Sequence, residues 1–216
     1  MNKAAKQALV GRERVPGQPD RGRFTETEVT ALVGKTWRNF DALAPSITWE
    51  PTLGARIYVV LSALTVSFYS ALIREGTGRE HATGLVADAK WVVYRRMGAV
   101  SRILAAMTAK SPSDRLRASV ELFLRFPFNP PSYSRRDLFV DSATAFEITR
   151  CPVADYFTSR GLPDLCVATW CNQDYALAEM WGGRLLRKGT IAGGGDSCDF
   201  AFVPVVLTGG SGRGRA

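Results

Sequence analysis

The chain has 216 residues, of which 46% are hydrophobic and 22% charged, proportions that are ordinary for a globular protein with one substantial core. Its formal net charge of +8 does not indicate specific nucleic-acid binding, because most of the surplus lies near the two ends and no aromatic residues alternate with arginines as on base-reading surfaces. A single histidine, His81, excludes sites built from several histidines, including the signatures of metalloproteases.

The first 23 residues combine a basic surplus with several glycines and prolines. Such a segment cannot bury enough apolar area to offset the entropy cost of ordering it. We therefore predict a disordered basic tail over residues 1–23 and a single α+β domain over residues 24–206. Residues 207–216, which include Arg213 and Arg215, are predicted to form a flexible tail.

The first part of the predicted domain, residues 24–130, has helical patterns. An amphipathic stretch from Thr25 to Leu43 carries Glu26 and Glu28 in its first turn, where the helix dipole favours acidic side chains. Further helices are predicted from about Leu53 to Glu75, from about Glu80 to Thr108, and from Ser111-Pro112 to the prolines that begin at Pro127.

The second predicted helix contains seventeen uncharged residues, Ile57–Ile73, close to the shortest length that spans a membrane. Its serine, threonine and tyrosine residues favour a buried core helix instead. The first 25 residues lack the apolar stretch of a secretory signal, and four cysteines in a chain of this length do not indicate a disulfide scaffold. We therefore predict a cytoplasmic protein with reduced thiols and no membrane partner.

The following part, residues 135–206, predicts a small antiparallel sheet. Strands are expected over Leu138–Thr149, Leu185–Ile191 and Cys198–Val206, the last two joined as a hairpin by Ala192–Ser197. Two helical segments, Val153–Arg160 and Leu165–Trp181, lie between the first strand and that hairpin. The predicted fold is α+β, with a helical N-terminal half packed on a small antiparallel β-sheet with two further helices.

The helix predicted over Leu165–Trp181 places Asp174 on an otherwise apolar face. The residues that share this face at spacings of three and four are Val167, Trp170, Cys171, Ala178 and Trp181. A buried carboxylate needs a partner, and its pKa can rise towards neutrality, the condition for a general acid or base. Two interpretations remain: Asp174 acts in catalysis, or it pairs with an arginine or caps a neighbouring loop.

Three cysteines, Cys151, Cys171 and Cys198, could converge with Asp174 in one site of thiols and a carboxylate. Taken singly, a free cysteine is more often an inert core residue than a nucleophile. No two cysteines have the Cys-x-x-Cys spacing of zinc sites, and we predict neither a metal nor a cofactor.

Two further features each have a structural interpretation as well as a functional one. The triple glycine 193–195 could present backbone amides to an anion such as a substrate carboxylate, or could form a flexible hairpin turn. The lone His81 lies in a charged stretch and is interpreted as a surface residue rather than as a catalytic base.

An ordered set of short motifs runs through this region: Cys151-Pro152, Gly161-Leu162-Pro163, Trp170-Cys171-Asn172-Gln173-Asp174-Tyr175 and Gly194-Gly195-Asp196-Ser197-Cys198-Asp199-Phe200. In order and spacing it resembles the L-2-amino-thiazoline-4-carboxylic acid hydrolase family, whose members share a cysteine, then a Cys-x-x-Asp helix, then a Gly-x-x-x-Cys-Asp-Phe strand. The resemblance covers about Phe146 to Phe202.

This resemblance implies a cytoplasmic hydrolase that opens the ring of a small cyclic amidine carboxylate, giving N-carbamoyl-L-cysteine in the named case. It also allows a family member recruited to another biosynthetic step, such as one of secondary metabolism. As a hypothesis we assign Asp174 as general base and Cys171 or Cys198 as nucleophile or pocket former. The residues expected to bind the small-molecule substrate are Cys151, Trp170, Asn172, Gly194, Gly195 and Ser197.

A rival interpretation comes from the last strand. Its Gly-x-x-x-Cys-x-Phe pattern is also similar to the end of vinyl-reductase-type sensory domains, which bind small molecules without turning them over. In those domains a zinc-ligating cysteine lies shortly before the last one, and the eight residues before Cys198 contain none. The alternative function is therefore a small-molecule-binding module, and nothing in the sequence indicates the oligomeric state.

Overall fold

The computed structural model describes residues 1–205, and the flexible tail predicted at 207–216 lies outside them. The helices, in chain order, are α1 (Asn2–Leu9), α2 (Glu26–Leu43), α3 (Leu53–Arg74), α4 (Arg79–Thr108), α5 (Pro112–Arg125), α6 (Pro152–Thr158), α7 (Pro163–Cys166) and α8 (Gln173–Met180). The strands are β1 (Ser134–Leu138), β2 (Thr144–Arg150), β3 (Gly183–Leu186) and β4 (Cys198–Pro204). Helices packed on one small antiparallel sheet confirm the predicted α+β class.

The N-terminal segment is ordered, so the prediction of a disordered tail over residues 1–23 is wrong. Helix α1 buries Ala5 and Leu9 against α2 and α4. On its outer side, the ammonium of Lys6 pairs with the carboxylate of Glu26 at 2.6 Å. The composition of residues 1–23 did not predict this helix, because a short helix needs only a few small apolar residues when neighbouring helices supply the rest of the core.

Helix α3 lies at the centre of the helical layer, in contact with α2, α4 and α6. By length and composition it could cross a membrane, but 56% of its most apolar 18-residue window is buried inside the fold. Its start is fixed by Thr52, whose hydroxyl accepts a hydrogen bond from the amide of Ala55. The apolar character of α3 therefore serves the core, as its sequence predicts.

Helix α4 runs beside α5 and approaches α8 closely at Gly98. A Cβ atom at this position would lie 2.2 Å from Cδ1 of Leu177 and 2.5 Å from Cε of Met180. The indole nitrogen of Trp181 donates to the carbonyl oxygen of Gly98 at 2.9 Å. Because Gly98 has no side chain, α4 can pack directly against Leu177 and Met180 of α8.

The sheet has the order β1-β2-β4-β3 with every neighbouring pair antiparallel. The strand predicted over Leu138–Thr149 is instead a hairpin, because the chain turns at Ser142, whose φ is 60°, and pairs β2 with β1. Every residue of β1 is exposed, so the strand lacks the apolar alternation by which it could have been predicted. The predicted strand over Leu185–Ile191 also shifts, to Gly183–Leu186.

The single helix predicted over Leu165–Trp181 is divided into α7, a π-helix over Val167–Cys171, and α8. The amide of Asn172 donates to the carbonyl of Val167 at 2.9 Å, a bond between residues five apart. Such a wide turn changes which side chains lie above one another along the helix. In this chain the wide turn brings Cys166 and Cys171 onto the same side of the helix.

Candidate active site

A cavity of about 70 Å³ lies between α3, α4, the π-helix and the sheet. It brings together all four cysteines, three tyrosines and an ion pair from widely separated parts of the chain. Its lining residues are Tyr58, Tyr94, Phe128, Tyr133, Ile148, Cys151, Val153, Cys166, Trp170, Cys171, Asp174, Arg187, Cys198 and Phe200. The predicted convergence of Cys151, Cys171, Cys198 and Asp174 is therefore present, and we call this space the cysteine cavity.

Within the cavity, Cys166 and Cys171 form a thiol pair. The wide π turn places these residues, five apart, on the same side of the helix. A hydrogen bond from Cys166 lowers the pKa of the Cys171 thiol, and the Arg187 guanidinium and the Thr190 hydroxyl act in the same direction. The same hydrogen bond raises the pKa of Cys166, with burial adding to the effect. Cys171 is thus the member of the pair that ionises more readily.

The carboxylate of Asp174 has two partners in the cavity. The guanidinium of Arg187 donates to Oδ2 at 3.0 Å, and the hydroxyl of Tyr94 donates to Oδ1 at 3.0 Å. The side chain of Arg187 is only 3% exposed and also donates to the carbonyl of Cys171 at 2.9 Å. Burial raises the pKa of Asp174, although Arg187, Tyr94 and Lys90 oppose that shift. The arginine pairing considered from the sequence is present, together with the raised pKa that acid–base chemistry needs.

The other two predicted cysteines differ from Cys171. Burial raises the pKa of Cys198 to about 12, even though the amide of Ile191 donates to its sulfur at 3.2 Å. Burial likewise raises the pKa of Cys151, at the start of α6. Both remain protonated thiols near neutral pH and are suited to shaping the cavity rather than to attacking a substrate.

Two donors on the cavity wall lack a partner among the described residues. They are the indole nitrogen of Trp170 and the hydroxyl of Tyr133, both buried. An unsatisfied buried donor costs about 1–3 kcal/mol, which a bound polar molecule would recover. Trp170 lines the cavity, and the substrate-binding role expected from the sequence stays a prediction.

Other expected substrate-binding residues lie outside the cavity wall. Asn172 is exposed. The amides of Gly194 and Gly195 already donate to the carbonyls of Ile191 and Thr190, both at 3.0 Å, so the turn does not offer them to a carboxylate. Ser197 is half-buried and does not contact the cavity. The triple glycine is a turn that connects β3 to β4.

Sequence reasoning missed several residues that the fold brings to this site. Cys166 could not be paired with Cys171 from the sequence, because residues five apart lie on different sides of an α-helix. Arg187 lies in a connection between strands, where an arginine is ordinarily exposed. Tyr94 belongs to an apolar stripe on α4, and only the approach of α8 gives its hydroxyl a partner.

Neither a metal site nor His81 contributes to this geometry. Within residues 1–205, no three side chains of His, Cys, Asp or Glu are arranged to hold a metal ion. The ring nitrogen Nε2 of His81 lies 2.8 Å from the carbonyl oxygen of Glu13, and the side chain is half-buried rather than fully exposed. The reactive groups that line the cavity are its thiols, the carboxylate of Asp174 and the guanidinium of Arg187.

A model of the L-2-amino-thiazoline-4-carboxylic acid hydrolase family matches residues 57–202 of the chain. This range covers more than half of the chain and contains every lining residue of the cysteine cavity. Comparisons with curated proteins and with solved structures gave no match. The extent of the family match, together with the ordered motifs that meet at the cavity, shows that the chain belongs to the L-2-amino-thiazoline-4-carboxylic acid hydrolase family.

Proposed function

We propose that the protein hydrolyses the ring of a small cyclic amidine that carries a carboxylate, of the 2-amino-thiazoline-4-carboxylate type. Membership of the family supports a hydrolase in general. The observation that carries the finer proposal is the presence, in one cavity, of Cys171 with a lowered pKa and Asp174 with a raised one. Nucleophilic attack on an amidine carbon requires a thiolate or water together with a group that moves protons.

In the proposed reaction, the thiolate of Cys171 adds to C2 of the ring, which bears the ring nitrogen, the ring sulfur and the exocyclic amine. The bond between C2 and the ring sulfur then breaks, and that sulfur leaves as the thiol of the opened substrate. Water adds to the same carbon, and Cys171 leaves as a thiolate. The oxygen of the water ends on the carbamoyl carbon, and its two hydrogens end on the former ring nitrogen and ring sulfur.

Asp174 is proposed to move the protons in both halves of this reaction. In its protonated form it protonates the departing ring sulfur, and as a carboxylate it accepts a proton from the attacking water. Tyr94 and Arg187 hold its two oxygens in fixed directions, so little reorganisation is needed at the moment of transfer. A carboxylate buried without these partners would be too costly to keep in the charged form.

The substrate is proposed to be small. The cysteine cavity and a neighbouring cavity of about 60 Å³ share Tyr94, Asp174 and Phe200 as walls. Each is smaller than a cavity of about 150 Å³, which holds a benzene molecule, so the ring is proposed to occupy both cavities, with a shift of the side chains in the shared wall. The free donors of Trp170 and Tyr133 are assigned to the polar atoms of the bound ring.

The proposal is tested by following thiol release from 2-amino-thiazoline-4-carboxylate and related cyclic amidine carboxylates. Substituting Asp174→Asn should lower kcat by about 10²- to 10⁴-fold, the usual contribution of a general acid or base. Asp164→Asn, in α7 and exposed outside the cavity, is the matched control and should leave kcat unchanged. A folded Asp174→Asn protein with full turnover would disprove the assigned role. Stoichiometric binding of the amidine without turnover would instead support the sensory-type alternative.

A further inference from the structure

A second and larger cavity opens between α1, α2, α3 and α4 and shares Tyr58, Tyr94 and Trp170 as walls with the cysteine cavity. Its volume is about 210 Å³, three times that of the cysteine cavity. Its walls are mostly apolar and include Ala4, Trp37, Leu61, Leu64 and Val93. We call it the lysine pocket because Lys90 is the one charged side chain that lines it within residues 1–205.

The ammonium group of Lys90 is buried and has no hydrogen-bond partner among the described residues. It lies between two aromatic faces, 3.8 Å from the ring centre of Tyr94 and 4.0 Å from that of Trp170. These faces stabilise a positive charge but leave its three N–H donors without an acceptor atom. The nearby carboxylate of Asp174 is already occupied by Arg187 and Tyr94. Within residues 1–205, the ammonium of Lys90 is therefore left without an acceptor.

We propose that the lysine pocket is a second binding site and takes an amphipathic monocarboxylate, with the carboxylate on the ammonium of Lys90 and an apolar body against the helices. A carboxylate supplies the acceptor oxygens that this ammonium lacks, in a charge-assisted hydrogen bond. One negative charge suffices, because Lys90 is the one charged side chain in the described lining.

The size of the pocket sets the size of the apolar body. A cavity of about 150 Å³ lined by apolar side chains holds a benzene molecule. A pocket of 210 Å³ that is open at its Trp37 and Val93 end therefore takes one aromatic ring joined to the carboxylate by a short aliphatic chain. This site is separate from the proposed ring-opening reaction and does not depend on it.

The test compares a matched acid and alcohol, 4-phenylbutanoate and 4-phenylbutan-1-ol, titrated calorimetrically into the full chain. The acid should bind at least about tenfold more tightly, since a charged hydrogen bond contributes about 1.5–3 kcal/mol. Lys90→Met, which keeps the length of the side chain without its charge, should abolish that preference while the alcohol still binds. Lys35→Met, on the exposed side of α2 and paired with Glu75, should leave the preference unchanged.

Equal affinity for acid and alcohol in the unaltered protein, or a preference that survives Lys90→Met, would overturn the proposal. A second variant, Val93→Trp, fills the partly exposed end of the pocket and should weaken binding of both ligands by about tenfold or more. Unchanged affinity in that variant would place the ligand elsewhere and equally overturn it. Cys171→Ala should not alter binding of 4-phenylbutanoate, so failure of the ring-opening proposal is distinguishable from failure of this one.

Discussion

Trp170 and Tyr94 stand between two cavities whose linings differ. The cysteine cavity is small, and its two charged side chains, Asp174 and Arg187, pair with each other. The lysine pocket is larger and apolar, and its ammonium, Lys90, has no acceptor among the described residues. Reactivity needs neighbours that shift pKa values, whereas binding needs an unsatisfied group at the end of an apolar surface. We therefore propose catalysis in the cysteine cavity and ligand binding in the lysine pocket.

The largest expected effect is on kcat, and it differs between two thiols of the cysteine cavity. Cys171→Ala should lower kcat by about 10³-fold or more, because it removes the proposed nucleophile. Cys198→Ala should lower kcat by less than about tenfold, because burial keeps Cys198 protonated and it only shapes the wall. Single-turnover assays on both variants measure the difference. Equal losses would show that the cavity does not distinguish its thiols as proposed.

The next effect concerns the ion pair. Arg187→Met should lower the free energy of unfolding by about 3–5 kcal/mol, because it leaves the buried carboxylate of Asp174 without its charged partner. The double variant Asp174→Asn with Arg187→Met should recover most of that loss, since it removes the unpaired charge. Urea unfolding at pH 7 measures both. A loss below about 1 kcal/mol in the single variant would mean that water reaches Asp174.

A smaller effect tests how α4 and α8 hold the cysteine cavity together. Gly98→Ala should destabilise the protein by about 1–3 kcal/mol, because the new methyl group meets Leu177 and Met180. Gly84→Ala, in the same helix with no atom within 4 Å of the new Cβ, should instead stabilise it by up to about 1 kcal/mol. Thermal unfolding compares the two. Gly98→Ala should also reduce turnover without weakening binding of 4-phenylbutanoate in the lysine pocket.

The smallest effect concerns Lys90 and pH. Burial lowers the pKa of Lys90 to about 7 in the folded protein, whereas in the unfolded chain it is about 10.4. Between these values the unfolded chain holds the extra proton, so this lysine makes stability rise with pH, by at most about 1.4 kcal/mol per pH unit. Relative to Lys90→Met, the natural chain should therefore gain at most about 1.4 kcal/mol of unfolding free energy between pH 7 and pH 8. Parallel curves would show that Lys90 is solvated.

Much of the fold follows from sequence patterns. Helices α2 to α5 begin and end within a residue or two of their predicted limits, because capping residues and prolines act locally. The first helix, α1, could not be predicted in this way, since its burial depends on helices distant in the chain. Strand β1 is exposed and is held by its pairing with β2, which no single-strand pattern reveals.

By itself the sequence determined that Cys171 and Asp174 lie three residues apart on one side of a helix, and that Cys198 follows on a strand. Only the tertiary structure decided the environment of these groups. Tyr94 reaches Asp174 from 80 residues away, and Arg187 comes from a connection between strands. The π turn joins Cys166 to Cys171 at a spacing that an α-helix would separate. Residue identity supplies the reactive groups, but their pKa values depend on burial and on partners that only folding brings near.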